Sequence, residues 1–230
     1  MSLLHWVSWL IALPVLVSSG GKAGQEEGEF KIVVQGKEIG SEHYVLAVTE
    51  NSASSTSVLN FRNPSNTQQK VQMESKLDMD GHFRPRGYQL RSDVDGKKGS
   101  IVGAFNPNAA MFEYNNGSTP TKKGLLVGND YTILDTNIFH HFIFLVRLYN
   151  FDSKEKLQRF EVVIPQEADS GVLKISEANR ETLSIGAKKV EARHLQVDSG
   201  ALLIHLWVDR QLVLLKISVP SSGIEVVRVY

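Results

Sequence analysis

A period of two governs this chain. Apolar residues recur at alternate positions in Phe30, Ile32, Val34 and again in Tyr44, Leu46, Val48, with polar residues between them. Successive side chains of a strand point to opposite faces, so this spacing describes strands with one buried face. The alternation returns in Val71 to Met73, Tyr88 to Arg91, Phe160 to Ile164 and Val172 to Ile175. It continues in Val190 to Val197, Leu202 to Val208, Leu212 to Val219 and Ile224 to Val229. Between these runs stand Asp80-Gly81, Asp95-Gly96, Asn116-Gly117, Ser199-Gly200 and Ser222-Gly223. Each supplies a residue that tolerates positive φ, which a tight hairpin turn demands. Asn116-Gly117-Ser118 also fits a glycosylation acceptor, but the turn accounts for it. The expected fold is mainly β: one curved antiparallel sheet, a half-barrel of roughly nine to eleven strands.

One segment departs from the alternation. Residues Ile138, Phe142, Leu145 and Tyr149 follow helical spacing, and Asp135 or Asn137 stands where a cap belongs. This predicts a helix over 137–149 that is apolar on nearly every side, and such a helix has to be wrapped by the sheet. A weaker helical pattern covers Ser153 to Leu157. No repeat or linker divides the remainder, so 28–230 reads as a single domain.

The first residues follow a different grammar. Val7 to Val17 is apolar and is followed by Ser18-Ser19-Gly20-Gly21, the arrangement of a cleaved signal peptide over residues 1–23. Small residues two apart, Ser18/Gly20 or Gly21/Ala23, suit a signal peptidase. Roughly eleven residues rising ~1.5 Å each do not cross a hydrocarbon core of about 30 Å, and Pro14 interrupts them. The expected location is therefore periplasmic or secreted, with no membrane span in the mature chain. Lys+Arg and Asp+Glu number 25 each, so the broad positive field that nucleic-acid binding needs is missing. With no cysteine there is no disulfide, no thiolate metal site and no lipid-modified cysteine to act as an anchor.

Few residues suggest chemistry. Adjacent His140 and His141 point about 100° apart on a helix and do not share one ion. His194 and His205 flank the Ser199-Gly200 turn as possible cross-strand neighbours, without a convincing third ligand. A nucleophile elbow, a phosphate loop and a metalloprotease helix are all missing from the sequence. Neither metal nor cofactor is expected, and an enzyme built on His140 or His141 with a distant acid ranks last. The surplus of apolar side chains points instead to a space between sheet and helix that could hold an apolar ligand. Its lining would be Phe139, Phe142, Phe144, Leu145, Leu206 and Trp207.

Several motifs carry a resemblance. They are the strand ending Leu206-Trp207-Val208-Asp209, the last strand Ile224 to Arg228, the early turn Gly36-Lys37-Glu38-Ile39-Gly40, and Leu134-Asp135-Thr136-Asn137 before the helix. Together they resemble uncharacterised exported bacterial β domains, over roughly Gly28 to Tyr230. These are similar to the periplasmic lipoprotein-carrier and lipoprotein-receptor superfamily, in which a curved sheet shelters acyl chains. The resemblance implies a soluble carrier of a lipid or acyl chain and brings no catalytic residues. The single bulky helix departs from that pattern and leaves open an envelope structural or assembly protein that meets a protein partner through its surface.

Overall fold

The computed structural model describes residues 24–230, so the expected signal peptide lies outside the described residues. The chain forms β1 (Gly24–Val34), β2 (Lys37–Val48), β3 (Ser52–Asn63), β4 (Asn66–Asp80), β5 (Pro85–Val94), β6 (Lys97–Asn106), β7 (Ala109–Asn115) and β8 (Thr121–Leu126). Then come β9 (Tyr131–Ile133), a 3-10 turn (Phe139–His141) and α1 (Phe142–Leu148). The remaining strands are β10 (Leu157–Ile164), β11 (Asp169–Ile185), β12 (Lys188–Asp198), β13 (Leu203–Val208), β14 (Leu214–Val219) and β15 (Ile224–Arg228).

All fifteen strands belong to one sheet, in the order β8-β7-β6-β5-β4-β3-β2-β1-β15-β14-β13-β12-β11-β10-β9. The chain starts in the middle, meanders to one edge at β8, crosses to the far edge at β9, and meanders back until β15 pairs with β1. The count exceeds the expected nine to eleven strands. The excess includes strands whose inward alternation is broken by small or polar residues: β3 turns Ser55 and Ser57 into the core between Ala53 and Leu59, β6 sets Gly103 beside Ile101, and β7 sets Ala110 beside Phe112. The sheet is antiparallel except at β9, which runs parallel to β10. That pairing closes across a crossover containing α1, so no hairpin turn announces it.

The expected turns join the strands. At Asp95-Gly96 both residues have positive φ, 52° and 83°, the two-residue geometry that matches strand twist. The helix is shorter than expected, because Asn137 takes φ 62° and starts no helical turn. No helix forms over Ser153 to Leu157; Leu157 opens β10 instead. Lacking an apolar stripe, that stretch has nothing to hold a turn of helix against the sheet.

The sheet curls around α1. Ile143, Phe144, Leu145 and Val146 are completely buried, and α1 packs against β14. The two far edges meet through side chains instead of a backbone ladder. The Tyr114 hydroxyl of β7 donates to the Pro165 carbonyl at 2.6 Å, and Tyr131 of β9 donates to the Asn106 carbonyl at 3.0 Å. The Thr132 hydroxyl donates to the Phe83 carbonyl at 2.9 Å. Outside the sheet a second apolar cluster forms where Ile185 and Ala192 of the long β11–β12 hairpin bury Leu215 beside Trp207 and Val227.

Candidate functional site

Where α1 enters the interior, the sheet turns polar groups inward. Glu42 lies two residues before Tyr44 and four before Leu46, in the buried phase of β2, and is entirely buried. Its Oε2 accepts the backbone N–H groups of Phe139 at 2.9 Å and His140 at 3.1 Å. Its Oε1 meets His140 Nδ1 at 2.7 Å, and His140 Nε2 meets Ser55 Oγ of β3 at 3.1 Å. The carboxylate places a proton on Nδ1, which fixes the ring's orientation. Tyr44 stacks on this imidazole with centroids 5.7 Å apart and planes 10° apart.

His141 does a different job. Its Nδ1 accepts the backbone N–H of Asp135 at 3.1 Å, so the neutral ring carries its proton on Nε2. That Nε2 is buried with no partner among the described residues, a loss on the order of 1–3 kcal/mol. Burial, and then the His140 ring 4.6 Å away, push the His141 pKa well below the ordinary imidazole value, so this ring is neutral at pH 7. Asp135 accepts the Tyr88 hydroxyl of β5 at 2.5 Å and the N–H groups of Thr136 and Gln166, each at 2.9 Å. Burial raises its pKa against the pull of these bonds. Burial, then Asp135, raises that of Tyr88.

A third anchor sits at the far end of α1. Arg147 donates to Glu26 of β1 at 2.7 Å. Glu26 also accepts the Tyr44 hydroxyl at 2.7 Å, and Arg228 of β15 donates to that hydroxyl at 2.5 Å. Gly28 makes room for this: a Cβ there would stand 2.8 Å from both the Arg228 guanidinium and the Tyr44 ring.

The expected lining residues separate. Phe144, Leu145 and Leu206 are completely buried, and Phe142 is 8% exposed. Phe139 is half-buried against the same core. Trp207 does not share that interior. One residue on from Leu206, it faces outward and belongs to the cluster around Leu215. Zero exposure at Ile143, Phe144, Leu145, Val146 and Leu206 leaves no water-sized space against them. His194 and His205 do meet on the outer face, Nε2 to Nδ1 at 2.8 Å, with His194 stacked 4.7 Å from Trp207. Among the described residues no group of three His, Asp or Glu is placed to hold a metal ion.

Sequence reasoning found the two histidines and Asp135 but missed their partners Glu42, Ser55 and Tyr88, and the separate anchor of Glu26 with Arg147. One signal was legible: Glu42 occupies the buried phase of its strand, where an unpaired carboxylate is untenable. As chemistry, Glu42, His140 and Ser55 reproduce the order of acid, base and hydroxyl used in acyl transfer. Ser55 is 1% exposed, however, and Glu42 and His140 are sealed. The arrangement ties the helix entry to β2 and β3.

The architecture belongs to the class of β-barrel-like domains. A solved structure titled as a β-barrel-like protein of domain of unknown function DUF1849, from Brucella abortus, superimposes with a TM-score of 0.62 at 8% identity, covering 92% of this chain and 96% of that one. A DUF1089 family protein from Pseudomonas aeruginosa gives a TM-score of 0.49 at 12% identity, covering 96% of this chain and 98% of that one. The first likeness defines the fold alone. No protein-family model matches the sequence, and no curated protein matches it. Among the described residues, no helix is long and apolar enough to cross a membrane.

Proposed function

We propose that this protein is a non-catalytic, exported component of the bacterial cell envelope that acts through its surface, with its interior serving as core. The supporting observation is the complete burial of α1 from Ile143 to Val146, which fills the space an acyl chain would need. Export rests on the apolar leader and the small residues after it. The absence of catalysis rests on the sealed state of Glu42, His140 and Ser55, since general base chemistry needs a substrate within hydrogen-bond reach.

Native mass spectrometry of the mature chain from Gln25 onward, purified from a bacterial periplasm and followed by solvent extraction, tests this. The expected outcome is an apoprotein mass and no uptake of a fluorescent fatty acid. A co-purifying acyl-bearing mass overturns the proposal.

The carrier reading draws on one observation of its own: the seam between the far edges is closed by side chains alone, at Tyr114, Tyr131 and Thr132. Such a seam opens without breaking a ladder, and α1 would have to leave with it. In that case Phe142→Asp in a folded variant abolishes ligand retention.

A further inference from the structure

The turn between β7 and β8 is held unlike the others. Elsewhere the backbone itself ties the turn: Asp95 N–H donates to the Lys70 carbonyl at 3.2 Å, Ser199 N–H to the Leu202 carbonyl at 3.0 Å and Gly223 N–H to the Pro220 carbonyl at 3.1 Å. From Asn116 to Pro120 every residue is exposed, and among the described residues none of these makes a backbone-to-backbone hydrogen bond. Two side-chain bonds shape the loop instead. The Gly117 N–H donates to Asn115 Oδ1 at 3.0 Å, and the Ser118 hydroxyl donates to Asn116 Oδ1 at 2.6 Å. Asn116 is also the one asparagine of the sequence that a glycine follows. Gly117 sits at φ 86°, with open space where a Cβ would stand.

We propose that Asn116 is a self-modification site, at which the loop converts its own asparagine to aspartate and isoaspartate with help from the Ser118 hydroxyl. Water or hydroxide takes the proton of the Gly117 nitrogen, which attacks Asn116 Cγ. The new N–C bond closes a succinimide ring, and the side-chain nitrogen leaves as ammonia with a proton from water. Water then opens the ring at either carbonyl, and no oxidant or reductant enters. A peptide N–H lies in the plane of its amide, so the bond to Asn115 leaves the out-of-plane direction open for the attack. The Ser118 hydroxyl donates to the oxygen on which negative charge develops in the tetrahedral intermediate, as an oxyanion donor does. A side chain after Asn116 would crowd the closing ring, and glycine both removes it and leaves the backbone free to turn. The product sets a carboxylate on the turn that leads into β8, the edge of the sheet. This goes beyond the surface-contact reading and does not depend on it.

The test is peptide mapping by mass spectrometry of the purified mature chain, held in neutral to mildly alkaline buffer and sampled over time, with isoaspartate counted by isoaspartyl methyltransferase labelling. Asn116 is expected to convert before any other asparagine and to yield both products. Gly117→Ala slows the conversion about tenfold or more, and Ser118→Ala about fivefold, the rate equivalent of one hydrogen bond. Thr119→Ala, in the same loop, leaves the rate unchanged. In a free peptide spanning 113–122, Ser118→Ala has little effect, which assigns the help of the hydroxyl to the fold. Unchanged urea unfolding reports that the three variants fold. Retention of Asn116 while other asparagines react overturns the proposal, and so does a rate in the folded chain that is indifferent to Ser118.

Discussion

The two halves of the sheet grip α1 in opposite ways. From β1 to β5 the interior face carries Glu42, Tyr44, Ser55, Ser57, Ser75 and Tyr88, and three of these, Glu42, Ser55 and Tyr88, bond the helix entry, to which Gln166 beyond β10 adds a backbone N–H. From β10 to β15 the same face is mostly aliphatic: Val163, Leu173, Ile175, Leu195, Val197, Leu206, Leu214 and Ile217, with Arg228 where β15 joins β1 and the Arg193–Glu177 pair of β12 and β11 as exceptions. The second half also buries Leu215 on its outer face. Apolar burial is non-directional and contributes about 25 cal/mol per Å², so the second half holds the helix without fixing its rotation. Hydrogen bonds are directional, and the first half supplies the orientation.

The largest expected effect breaks the polar half. Glu42→Ala leaves the Nδ1–H of His140 and two backbone N–H groups without an acceptor in a sealed site, which destabilises by about 4 kcal/mol. Urea unfolding measures it. Trp207 is the one tryptophan of 24–230, and it sits on the outer face of the second half. Its fluorescence therefore follows one half while far-UV circular dichroism follows both. Coincident transitions in the variant mean the halves remain one cooperative unit; separated transitions mean Glu42 couples them.

The matching cut in the aliphatic half is Leu206→Ala. It removes a completely buried side chain facing α1 and leaves a cavity, with an expected loss of about 3 kcal/mol by the same measurement. Because no titrating group is involved, the loss is the same at every pH where the parent is folded. A loss that changes with pH would show that the aliphatic half is coupled to the histidines.

A titration sharpens the contrast further. The pKa of His141 is lowered by folding, so the unfolded chain binds the extra proton. Stability is then unaffected above the ordinary imidazole value and declines as pH falls below about 6.5, by at most about 1.4 kcal/mol per pH unit. Asp135, whose pKa is raised, works in the opposite sense: its contribution improves as pH falls toward the carboxylate range. His141→Leu exchanges the unpartnered Nε2–H for an unpartnered Asp135 N–H, so stability at neutral pH changes little, but it flattens the decline between about pH 6.5 and 5. An unchanged slope would assign that decline to another group.

The same contrast explains what the sequence made legible. The aliphatic half is written largely as alternation, and of the three connections between β12 and β15 two carry Ser199-Gly200 and Ser222-Gly223, so these strands were visible from spacing. The helix was visible because Phe142 and Leu145 keep its period. In the polar half β3 was hidden, since Ser55 and Ser57 stand at its core positions and read as loop residues. The bond between His140 and Glu42 joins residues 98 apart. Neither β9 nor that pairing has a local signature, because both depend on how a long meander closes on itself. Trp207 shows the limit of composition: alternation places it opposite Leu206, and only the β11–β12 hairpin makes its side of the sheet apolar.

The smallest effect tests whether the serines of the polar half hold anything themselves. Ser57 and Ser75 face each other across β3 and β4, hydroxyl to hydroxyl at 3.0 Å, both buried. Ser75→Ala strands the Ser57 hydroxyl and costs about 1 kcal/mol, and Ser57→Ala does the same to Ser75. Replacing both removes donor and acceptor together, so the double variant loses less than the sum of the singles. If instead the two losses add, the hydroxyls do not depend on each other. The serines would then matter by being small beneath α1, and the orienting role would fall to Glu42, Tyr88 and Glu26 alone.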